Sequence, residues 1–403
     1  MRYADRIHRQ IQELGDCPMP TDVALEHSER LYERVSEQLK ASPMSFHAFM
    51  QAMLYTPGLG YYSAGATKLG AQGDFVTAPE ISELFGQAVA QQCLQILNMS
   101  GGSILEYGAG TGQLALDILT SLQAQDALPE HYYIMEVSAD LIERQKTLLS
   151  ARLPEFYEQI EWLDSLPEAF EGVVVANEVL DAMPVHRFQI TEQGITEQQV
   201  VIDEQGDWHF SGSFDLSQPL KDWFAREDIL ALDMQPPYMS EVNLAQEAWI
   251  AELAGCLKKG AIMLIDYGFS RGEYYHRDRS AGTLMCHYRH RAHANPLVLA
   301  GLQDITTHVD FTAVAEAAHD AGLDVNGYTT QSSFLMGNGI LQMAEELMVD
   351  APQARQLQIS SQLKQLLMPE EMGEFFKVML LSEPSTLSGP INGFSMGDHR
   401  HQL

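Results

Sequence analysis

Three glycines at alternating positions follow a short apolar run and come directly before a helical pattern. The apolar run starts at Ile104, the glycines are Gly108, Gly110 and Gly112, and the helical pattern starts at Leu114. Because glycine tolerates positive φ, a ligand can approach the backbone closely here, and the free N–H groups of the next helix favour electron-rich ligand atoms. The spacing predicts a small-molecule site on this turn; a tight strand-to-helix turn without a ligand is the alternative.

Two residues beside the glycines narrow the choice of ligand. Glu106 lies at the end of the predicted strand, where a carboxylate costs free energy unless it meets a cationic ligand group or a set of backbone donors. The dinucleotide fingerprint G-x-G-x-x-G requires a glycine at position 113, where this chain has Gln113. The sequence therefore disfavours a nicotinamide or flavin cofactor and makes Glu106 a candidate ligand-binding residue.

Acidic residues also follow the next two predicted strands. Glu136 comes after the apolar run 132–135, and Asp164 comes after the run 160–163. A strand-end carboxylate can accept hydrogen bonds from both hydroxyls of a ribose, which is the role we predict for Glu136. Asp164 is predicted either to accept from an adenine amino group or simply to cap backbone donors. Together with the glycine turn, these residues predict nucleoside binding.

A third polar stretch, Asn177 to Pro184, follows the apolar run 172–176. This order delivers Asn177, Glu178 and Asp181 to the sheet edge that carries the glycine turn, where open α/β sheets bind ligands. Paired carboxylates can orient a guanidinium group and localise electron density on its attacking nitrogen, and on one helical turn the two would face the same way. The alternative is a carboxylate that caps a helix start.

A glycine-rich segment precedes the first strand and is predicted to form a loop. It includes the stretch from Gly70 to Ser82 and is rich in small polar residues, as functional loops often are. Asp74 and Thr77 are predicted cofactor contacts, and Glu80 is a further polar group that this loop could bring over the ligand. An ordinary surface loop that caps the next helix at Pro79 is the alternative.

A cysteine and three histidines cluster further along the chain: Cys286, His287, His290 and His293. Arg289 and Arg291 add positive charge to the same segment, and it contains no acidic ligand, so we predict no metal site. We interpret His290 instead as a hydrogen-bonding residue of a substrate lid.

His308 is a candidate general base in a short predicted strand. Strand alternation would place four side chains on one face, either lining a pocket or facing solvent: Asp304, Thr306, His308 and Asp310. A guanidinium group could equally lose its proton to a carboxylate or to water.

The composition excludes several classes of protein. The net charge of −31 at pH 7 repels phosphate backbones and anionic membranes, so we expect no nucleic-acid or membrane partner. The four cysteines form no C-x-x-C pair, and no signal peptide, transit peptide or membrane-spanning run is recognised. We therefore expect a cytoplasmic protein with reduced thiols. The oligomeric state stays open, and a homodimer is one option.

Alternating strand and helix patterns after Gly112 predict an α/β fold with a parallel sheet. Helices are predicted before position 100, and short alternating runs between Pro184 and Asp233 predict inserted β-hairpins. We divide the chain into an N-terminal helical region with a loop over the cofactor site, the first part of the core, inserted hairpins with a helix, and the remaining core with a lid-like insertion near 270–301. These segments are 1–100, 101–184, 185–258 and 259–403.

The motifs together resemble the MidA-like family of class I S-adenosylmethionine-dependent methyltransferases, which includes a mitochondrial complex I assembly factor acting as a protein-arginine methyltransferase. The E-x-G-x-G-x-G pattern is shared with motif I of class I methyltransferases, and the stretches 73–82 and 177–185 are more specific to the family. The resemblance implies a Rossmann-like sheet of seven mostly parallel strands, S-adenosylmethionine as methyl donor, and a protein partner.

The leading hypothesis is methylation of an arginine in a protein partner, such as a subunit of a respiratory complex. Glu178 and Asp181 would orient the guanidinium, and His308 is the candidate base. An assembly chaperone that keeps the methyltransferase fold without turnover is the main alternative. A nicotinamide-dependent oxidoreductase is a third reading, which Gln113 disfavours.

Overall fold

The computed structural model describes residues 2–15, 17–63 and 77–403, with the backbone alone at 212–214. Its helices are α1 (Tyr3–Glu13), α2 (Asp22–Ala41), α3 (Phe46–Tyr55), α4 (Ala78–Ile81), α5 (Glu83–Ser100), α6 (Gln113–Gln123), α7 (Ala139–Arg152), α8 (Gln218–Phe224), α9 (Glu227–Leu230), α10 (Ala245–Cys256), α11 (Arg271–Tyr274), α12 (Phe311–Asp320), α13 (Gln331–Gly337), α14 (Ile340–Met348) and α15 (Gln353–Leu367). None of these helices is both long and apolar enough to cross a membrane.

The strands are distributed along the chain between these helices. They are β1 (Met44–Ser45), β2 (Ser103–Tyr107), β3 (Tyr132–Met135), β4 (Ile160–Trp162), β5 (Phe170–Asn177), β6 (His186–Thr191), β7 (Gly194–Ile202), β8 (Trp208–Phe214), β9 (Tyr238–Val242), β10 (Leu257–Phe269), β11 (Met285–Tyr288), β12 (Arg291–His293), β13 (Asp304–Thr306), β14 (Val309–Asp310), β15 (Asp324–Thr330) and β16 (Phe376–Ser382). Short 3₁₀ turns cover Tyr157–Gln159, Arg277–Arg279, Asn392–Phe394 and Arg400–Gln402.

The chain folds into two compact units, each assembled from several segments. The first unit comprises the described residues up to 63 together with Leu180–Gln246 and Arg271–Val309. The second comprises residues 77–179, Glu247–Ser270 and Asp310–Leu403. Each unit combines segments that are distant in sequence, whereas the four predicted segments are continuous stretches of chain. The predicted division stays a prediction.

The second unit is built around a mostly parallel sheet with the strand order β15-β16-β10-β5-β2-β3-β4. Strands β4, β3, β2, β5 and β10 pair in parallel, whereas β16 is antiparallel to both of its neighbours. The central strands are continuous apolar runs because helices cover both faces; Val173, Val174 and Val175 are all fully buried. This arrangement confirms the predicted Rossmann-like methyltransferase sheet.

The order of the strands fixes where a ligand can bind in this sheet. From β2 the chain passes through α6 to β3 on one side, whereas β5 lies on the other side of β2. Such a reversal opens a crevice at the carboxyl ends of the two central strands, where open α/β sheets bind ligands. The glycine turn follows β2 and Asn177 ends β5, so both lie at this edge.

The first unit contains helices α1 to α3 and an antiparallel sheet that includes the predicted hairpin. Helices α1 and α2 are separated around Pro18 and Pro20, and the Thr21 hydroxyl caps α2 by accepting from the Ala24 N–H at 3.3 Å. An antiparallel sheet runs in the order β1-β7-β6-β9, with β8 also paired to β7. The antiparallel β6–β7 pair is the predicted hairpin.

The lid-like insertion predicted near 270–301 contains strands as well as helix. It contains α11 and an antiparallel hairpin of β11 and β12, and β13 pairs with β11 rather than with the large sheet. The strand signal was weak because Cys286 and Tyr288 are its buried positions, and the intervening His287 and the flanking arginines hide the alternation.

Candidate functional site

The glycine turn of the second unit adopts the conformation that its residues predicted. Gly108, Gly110 and Gly112 have φ values of 63°, 55° and 87°, all in the left-handed region that side chains disfavour. The Gly108 N–H donates to the Met135 carbonyl at 2.9 Å, which ties the turn to the end of β3. A Cβ atom on Gly112 would lie 3.3 Å from Cγ of Gln145, so the turn is both strained for other residues and closely packed.

Glu106 lies in the buried part of β2. Its side chain is 2 % exposed, and Oε2 accepts a hydrogen bond from the Tyr132 hydroxyl at 2.7 Å. Burial raises the pKa of Glu106 to about 8, repulsion from Glu136 adds to the rise, and the hydrogen bond from Tyr132 opposes it. A cationic group near this carboxyl would favour its ionised form.

Glu136 directly follows β3, and two hydrogen bonds to its carboxylate hold the side chain. Its Oε1 accepts from the Ser138 N–H at 2.9 Å, and Ser138 caps α7. Its Oε2 accepts from Nε2 of Gln145 at 3.3 Å. The carboxylate is therefore fixed at the sheet edge, as binding to ribose hydroxyls would require.

Gln145 is a residue of this site that the sequence analysis missed. Its side chain is fully buried, and Nε2 also donates to the Gly110 carbonyl at 2.8 Å. Its Oε1 accepts from the indole N–H of Trp162 at 2.8 Å. The spacing of residues in α7 could have indicated it. Leu141, Gln145 and Leu149 recur every four positions and are the buried residues of the helix, so one amide lies in an otherwise apolar stripe.

Helix α4 contacts the glycine turn through Glu80. The Thr111 hydroxyl donates a hydrogen bond to Oε1 of Glu80, a contact within the second unit. Thr77 is the N-cap residue of α4 but makes no side-chain capping bond. Asp74 lies outside the described residues. Asp164 is exposed just beyond β4. The predicted cofactor roles of Asp74, Thr77 and Asp164 remain predictions.

Asn177 and Glu178 form a pair at the carboxyl end of β5. Nδ2 of Asn177 donates to Oε1 of Glu178 at 3.1 Å, and the Glu178 N–H donates to the Ile265 carbonyl of β10 at 2.9 Å. Glu178 has a φ of 53°, which is uncommon for a residue with a side chain and costs about 1–3 kcal/mol. Such strain clusters at functional sites, where surrounding contacts hold it in place.

The stretch after β5 is not helical, so Glu178 and Asp181 do not share a helical turn. Residues 178–185 form bends and turns instead, since the positive φ of Glu178 and the proline at 184 do not continue a helix. Glu178 belongs to the second unit and Asp181 to the first, on either side of the segment boundary at Val179. Whether both carboxylates act on one substrate group is therefore a proposal.

In the first unit, Asp181 is 5 % exposed and its backbone is anchored from two directions. The Thr307 N–H donates to the Asp181 carbonyl at 3.0 Å. The Tyr55 hydroxyl donates to the carbonyl of the next residue, Ala182, at 3.0 Å. The turn that carries Asp181 is thus fixed by α3 and by the segment after β13.

Two tyrosines and a buried aspartate lie beside this turn. The rings of Tyr55 and Tyr62 stack with their centroids 5.5 Å apart, and the Tyr62 hydroxyl donates to Oδ1 of Asp304 at 2.9 Å. Burial raises the pKa of Tyr62 well above its usual value, and the nearby charges of Asp304 and Asp181 raise it further. Aromatic rings and carboxylates are both groups that interact favourably with a guanidinium.

His308 is half-buried in the same unit, and its backbone N–H donates to the Thr283 hydroxyl at 3.1 Å. The predicted alternating face from Asp304 to Asp310 is wrong, because β13 ends at Thr306. Asp310 instead caps α12 by accepting from the N–H groups of Thr312 and Ala313. The role of His308 as a base stays a prediction.

Comparison with known proteins assigns the family. Residues 88–329, more than half of the chain, match the family model described as "Putative S-adenosyl-L-methionine-dependent methyltransferase". The chain belongs to this methyltransferase family. This confirms the predicted enzyme class and S-adenosylmethionine as the cofactor, and it agrees with the resemblance of the motifs to MidA-like proteins.

Individual relatives agree with this assignment over most of their length. A Burkholderia thailandensis protein crystallised with S-adenosyl-homocysteine is 40% identical, with a TM-score of 0.91 over 96% of this chain and 100% of that chain. The mitochondrial protein arginine methyltransferase NDUFAF7 of Danio rerio is 29% identical over 85% of this chain and 84% of its own. The human protein of the same name is 27% identical over 86% and 82%.

The expectation of a cytoplasmic protein is contradicted by the NDUFAF7 relatives, which are named as mitochondrial proteins. The physical reason for the error is that reduced cysteines indicate a reducing compartment without saying which one. The four cysteines are free in the structure, and Cys93, Cys256 and Cys286 are buried.

The methyltransferase's histidine-rich segment holds no metal-binding cluster in the part of the chain that the structure describes. Cys286 is buried in the core, which raises its thiol pKa well above the usual value. Burial lowers the pKa of His287, and it lowers the pKa of His293 to about 4. His290 is exposed on the turn between β11 and β12, with a φ of 61°. Its predicted place in a substrate lid stays a prediction.

The residues at the carboxyl edge of the large sheet fit S-adenosylmethionine. The three positive φ values open the backbone of the turn to a ligand, and a fixed carboxylate, Glu136, stands at the end of the neighbouring strand. The buried Glu106 adds a group that gains charge more readily beside a cation. The ligand carries both a sulfonium and an ammonium group, so the charges are complementary.

Proposed function

We propose that this methyltransferase transfers the methyl group of S-adenosylmethionine to a side-chain nitrogen of an arginine in a protein substrate. The observation that carries the proposal is the placement of Glu178, whose strained backbone and bond to Asn177 fix a carboxylate at the sheet edge beside the glycine turn. The relatives named as protein arginine methyltransferases support the same acceptor. As in the family resemblance, a subunit of a respiratory complex is the kind of partner we propose.

The cofactor supplies an electrophilic methyl group on a sulfonium sulfur. In our proposal the cofactor binds to the backbone of the glycine turn, formed by Gly108, Gly110 and Gly112, and Glu136 accepts hydrogen bonds from the ribose hydroxyls. Glu106 and Asn177 contribute to the same site. Asp164 accepts from the adenine amino group, and Asp74 and Thr77 are proposed as further contacts from the preceding loop.

The acceptor chemistry requires orientation of the guanidinium and removal of one proton. Glu178 and Asp181 accept hydrogen bonds from the guanidinium and direct one nitrogen toward the methyl group. When the new N–C bond forms, that nitrogen loses a proton to a carboxylate, to water or to His308, and the product keeps its positive charge. Precise placement is the main contribution of the protein, because the leaving thioether needs no proton.

The direct test is to identify the residue type that receives the methyl group. The purified protein is incubated with S-adenosylmethionine carrying a deuterated methyl group and with a protein extract, and the hydrolysed proteins are analysed for deuterated methyl amino acids. We expect deuterated N-methylarginine, reduced by about a hundredfold with Glu178→Gln. Label on another amino acid would overturn the arginine assignment, and binding of S-adenosyl-homocysteine without any transfer would favour an assembly chaperone.

A further inference from the structure

We propose that Gln145 is a positioning residue for cofactor binding, acting through Glu136 on the ribose. Its fully buried amide joins three elements at the ligand edge of the sheet: the glycine turn, the end of β3 and the end of β4. Neither the motifs nor the family comparison assigns this residue a role. The inference rests on the proposed contact between Glu136 and the ribose.

The hydrogen bonds determine which way the amide of Gln145 points. The indole N–H of Trp162 can only donate, so the atom facing it at 2.8 Å must be the amide oxygen. The amide nitrogen then faces the Gly110 carbonyl at 2.8 Å and Oε2 of Glu136 at 3.3 Å, two acceptors that match its two N–H groups. Every polar atom of the side chain is satisfied, so the amide has one favourable orientation.

This orientation holds the Glu136 carboxylate at both oxygens. Oε1 accepts from the Ser138 N–H at 2.9 Å, and Oε2 accepts from Gln145. A carboxylate fixed before the ligand arrives loses less conformational freedom on binding, which favours a two-point contact with the ribose hydroxyls. Gln145 also donates to the Gly110 carbonyl, and this bond fixes the position of the Glu136 carboxylate relative to the glycine turn.

Helix α7 packs closely against the glycine turn at Gln145, which leaves this side chain little room to move. A Cβ atom on Gly112 would lie 3.3 Å from Cγ and 3.4 Å from Cα of Gln145, so helix and turn are in close contact. Removing the amide therefore removes one hydrogen bond from the Gly110 carbonyl and one from the Glu136 carboxylate.

The test measures affinity by calorimetry for two probes, S-adenosyl-homocysteine and its 2′,3′-dideoxy analogue. With Gln145→Leu we expect binding of S-adenosyl-homocysteine to weaken by about tenfold, the loss typical of one hydrogen bond to a charged group. Binding of the dideoxy analogue should change by less than about twofold, because it lacks the hydroxyls that Glu136 contacts. Gln145→Leu added to Glu136→Gln should weaken binding no further than Glu136→Gln alone.

Gln331→Leu is the matched control, since Gln331 is equally buried and donates to the Leu366 carbonyl at 3.0 Å. It lies in α13, next to β15, at the opposite end of the strand order from β3 and β4. The substitution should lower the melting temperature and leave both affinities unchanged. The inference is overturned if Gln145→Leu lowers stability without weakening S-adenosyl-homocysteine binding, or if it weakens both probes equally.

Two further outcomes keep the result interpretable. If Gln145→Leu does not fold, Gln145→Asn takes its place, because an amide one methylene shorter cannot reach all its partners, and the same criteria apply. If Glu136→Gln alone leaves S-adenosyl-homocysteine binding unchanged, the proposed ribose contact fails, and Gln145 loses its role with it. An effect of Glu136→Gln without an effect of Gln145→Leu overturns only the inference on Gln145.

Discussion

Glu106 differs from a surface glutamate because its carboxyl is held in an apolar strand with the Tyr132 hydroxyl as its hydrogen-bond donor. Folding raises the pKa of this carboxyl from 4.5 to about 8, mainly through burial. Between these two values the folded protein binds a proton that the unfolded chain does not. The free energy of unfolding therefore falls as the pH rises through this range. The full contribution of Glu106 to stability is present only below pH 4.5, where the carboxyl is protonated in both states.

A neutral isostere should remove this pH dependence. With Glu106→Gln, which keeps an acceptor for Tyr132, we expect the melting temperature to fall less between pH 5 and pH 8 than it does in the wild type. Thermal unfolding at several pH values measures the difference, with Glu130→Gln as an exposed control. Identical pH slopes for the wild type and Glu106→Gln would contradict the raised pKa.

Two glycines with nearly the same φ allow the cost of backbone strain to be distinguished from an effect on ligand binding. Gly112 has a φ of 87° and lies close to Gln145, whereas Gly322 has a φ of 84° and would meet nothing within 4 Å. Alanine at either position should cost about 1–2 kcal/mol of stability. Only Gly112→Ala should also weaken binding of S-adenosyl-homocysteine, by about tenfold or more, because it displaces the turn. Equal affinities in calorimetry for the two variants would count against the turn as the cofactor site.

At the scale of elements, the Tyr55 hydroxyl of α3 helps to position the turn that carries Asp181. Tyr55→Phe removes the bond to the Ala182 carbonyl and keeps the stacked ring. We expect the rate of methyl transfer to fall by about fivefold, as the loss of one neutral hydrogen bond suggests, with unchanged affinity for S-adenosyl-homocysteine. Tyr133→Phe is the control, since its hydroxyl makes no hydrogen bond among the described residues. Loss of cofactor affinity with Tyr55→Phe would refute this division of roles.

The elements that the sequence predicted best are those whose signal is local. Strand β3 has the predicted bounds because an apolar run ends at a charged residue, and the glycine turn is encoded by residues that alone tolerate its φ values. For the stretch after β5 the sequence does not decide between helix and turn, because a spacing of three residues between two carboxylates fits both. Glu178 has a positive φ and its N–H bonds to the Ile265 carbonyl of β10, a long-range contact that no local pattern contains.

The site was predictable in part for the same reason. Glycines and strand-end acids carry their roles in their type and position, whereas Gln145 acquires its role only when three distant carbonyl, carboxylate and indole groups converge on it. The stacking of Tyr55 on Tyr62 depends in the same way on the loop between them folding back onto α3.

At the scale of the whole molecule, charge should affect the protein acceptor more than the cofactor. The chain has 55 acidic and 24 basic residues, a net charge of −31, so it attracts a basic, arginine-bearing segment over long distances. Raising the salt from about 50 to 300 mM shortens the Debye length and should lower kcat/KM for such an acceptor severalfold. The Kd of S-adenosyl-homocysteine, measured in the same buffers, should change little. A kcat/KM independent of salt would argue that the charge serves solubility alone.

The central claim is that Glu178 serves arginine methylation at the cofactor edge of the sheet. The most direct measurement is mass spectrometry of proteins captured by the Glu178→Gln variant, compared between cells that contain the active protein and cells that contain only the variant. We predict a captured protein with one arginine that is methylated only when the active protein is present, while Glu178→Gln still binds S-adenosyl-homocysteine. A captured partner whose arginines are modified identically in both cells, and which assembles normally with the variant, would contradict the claim.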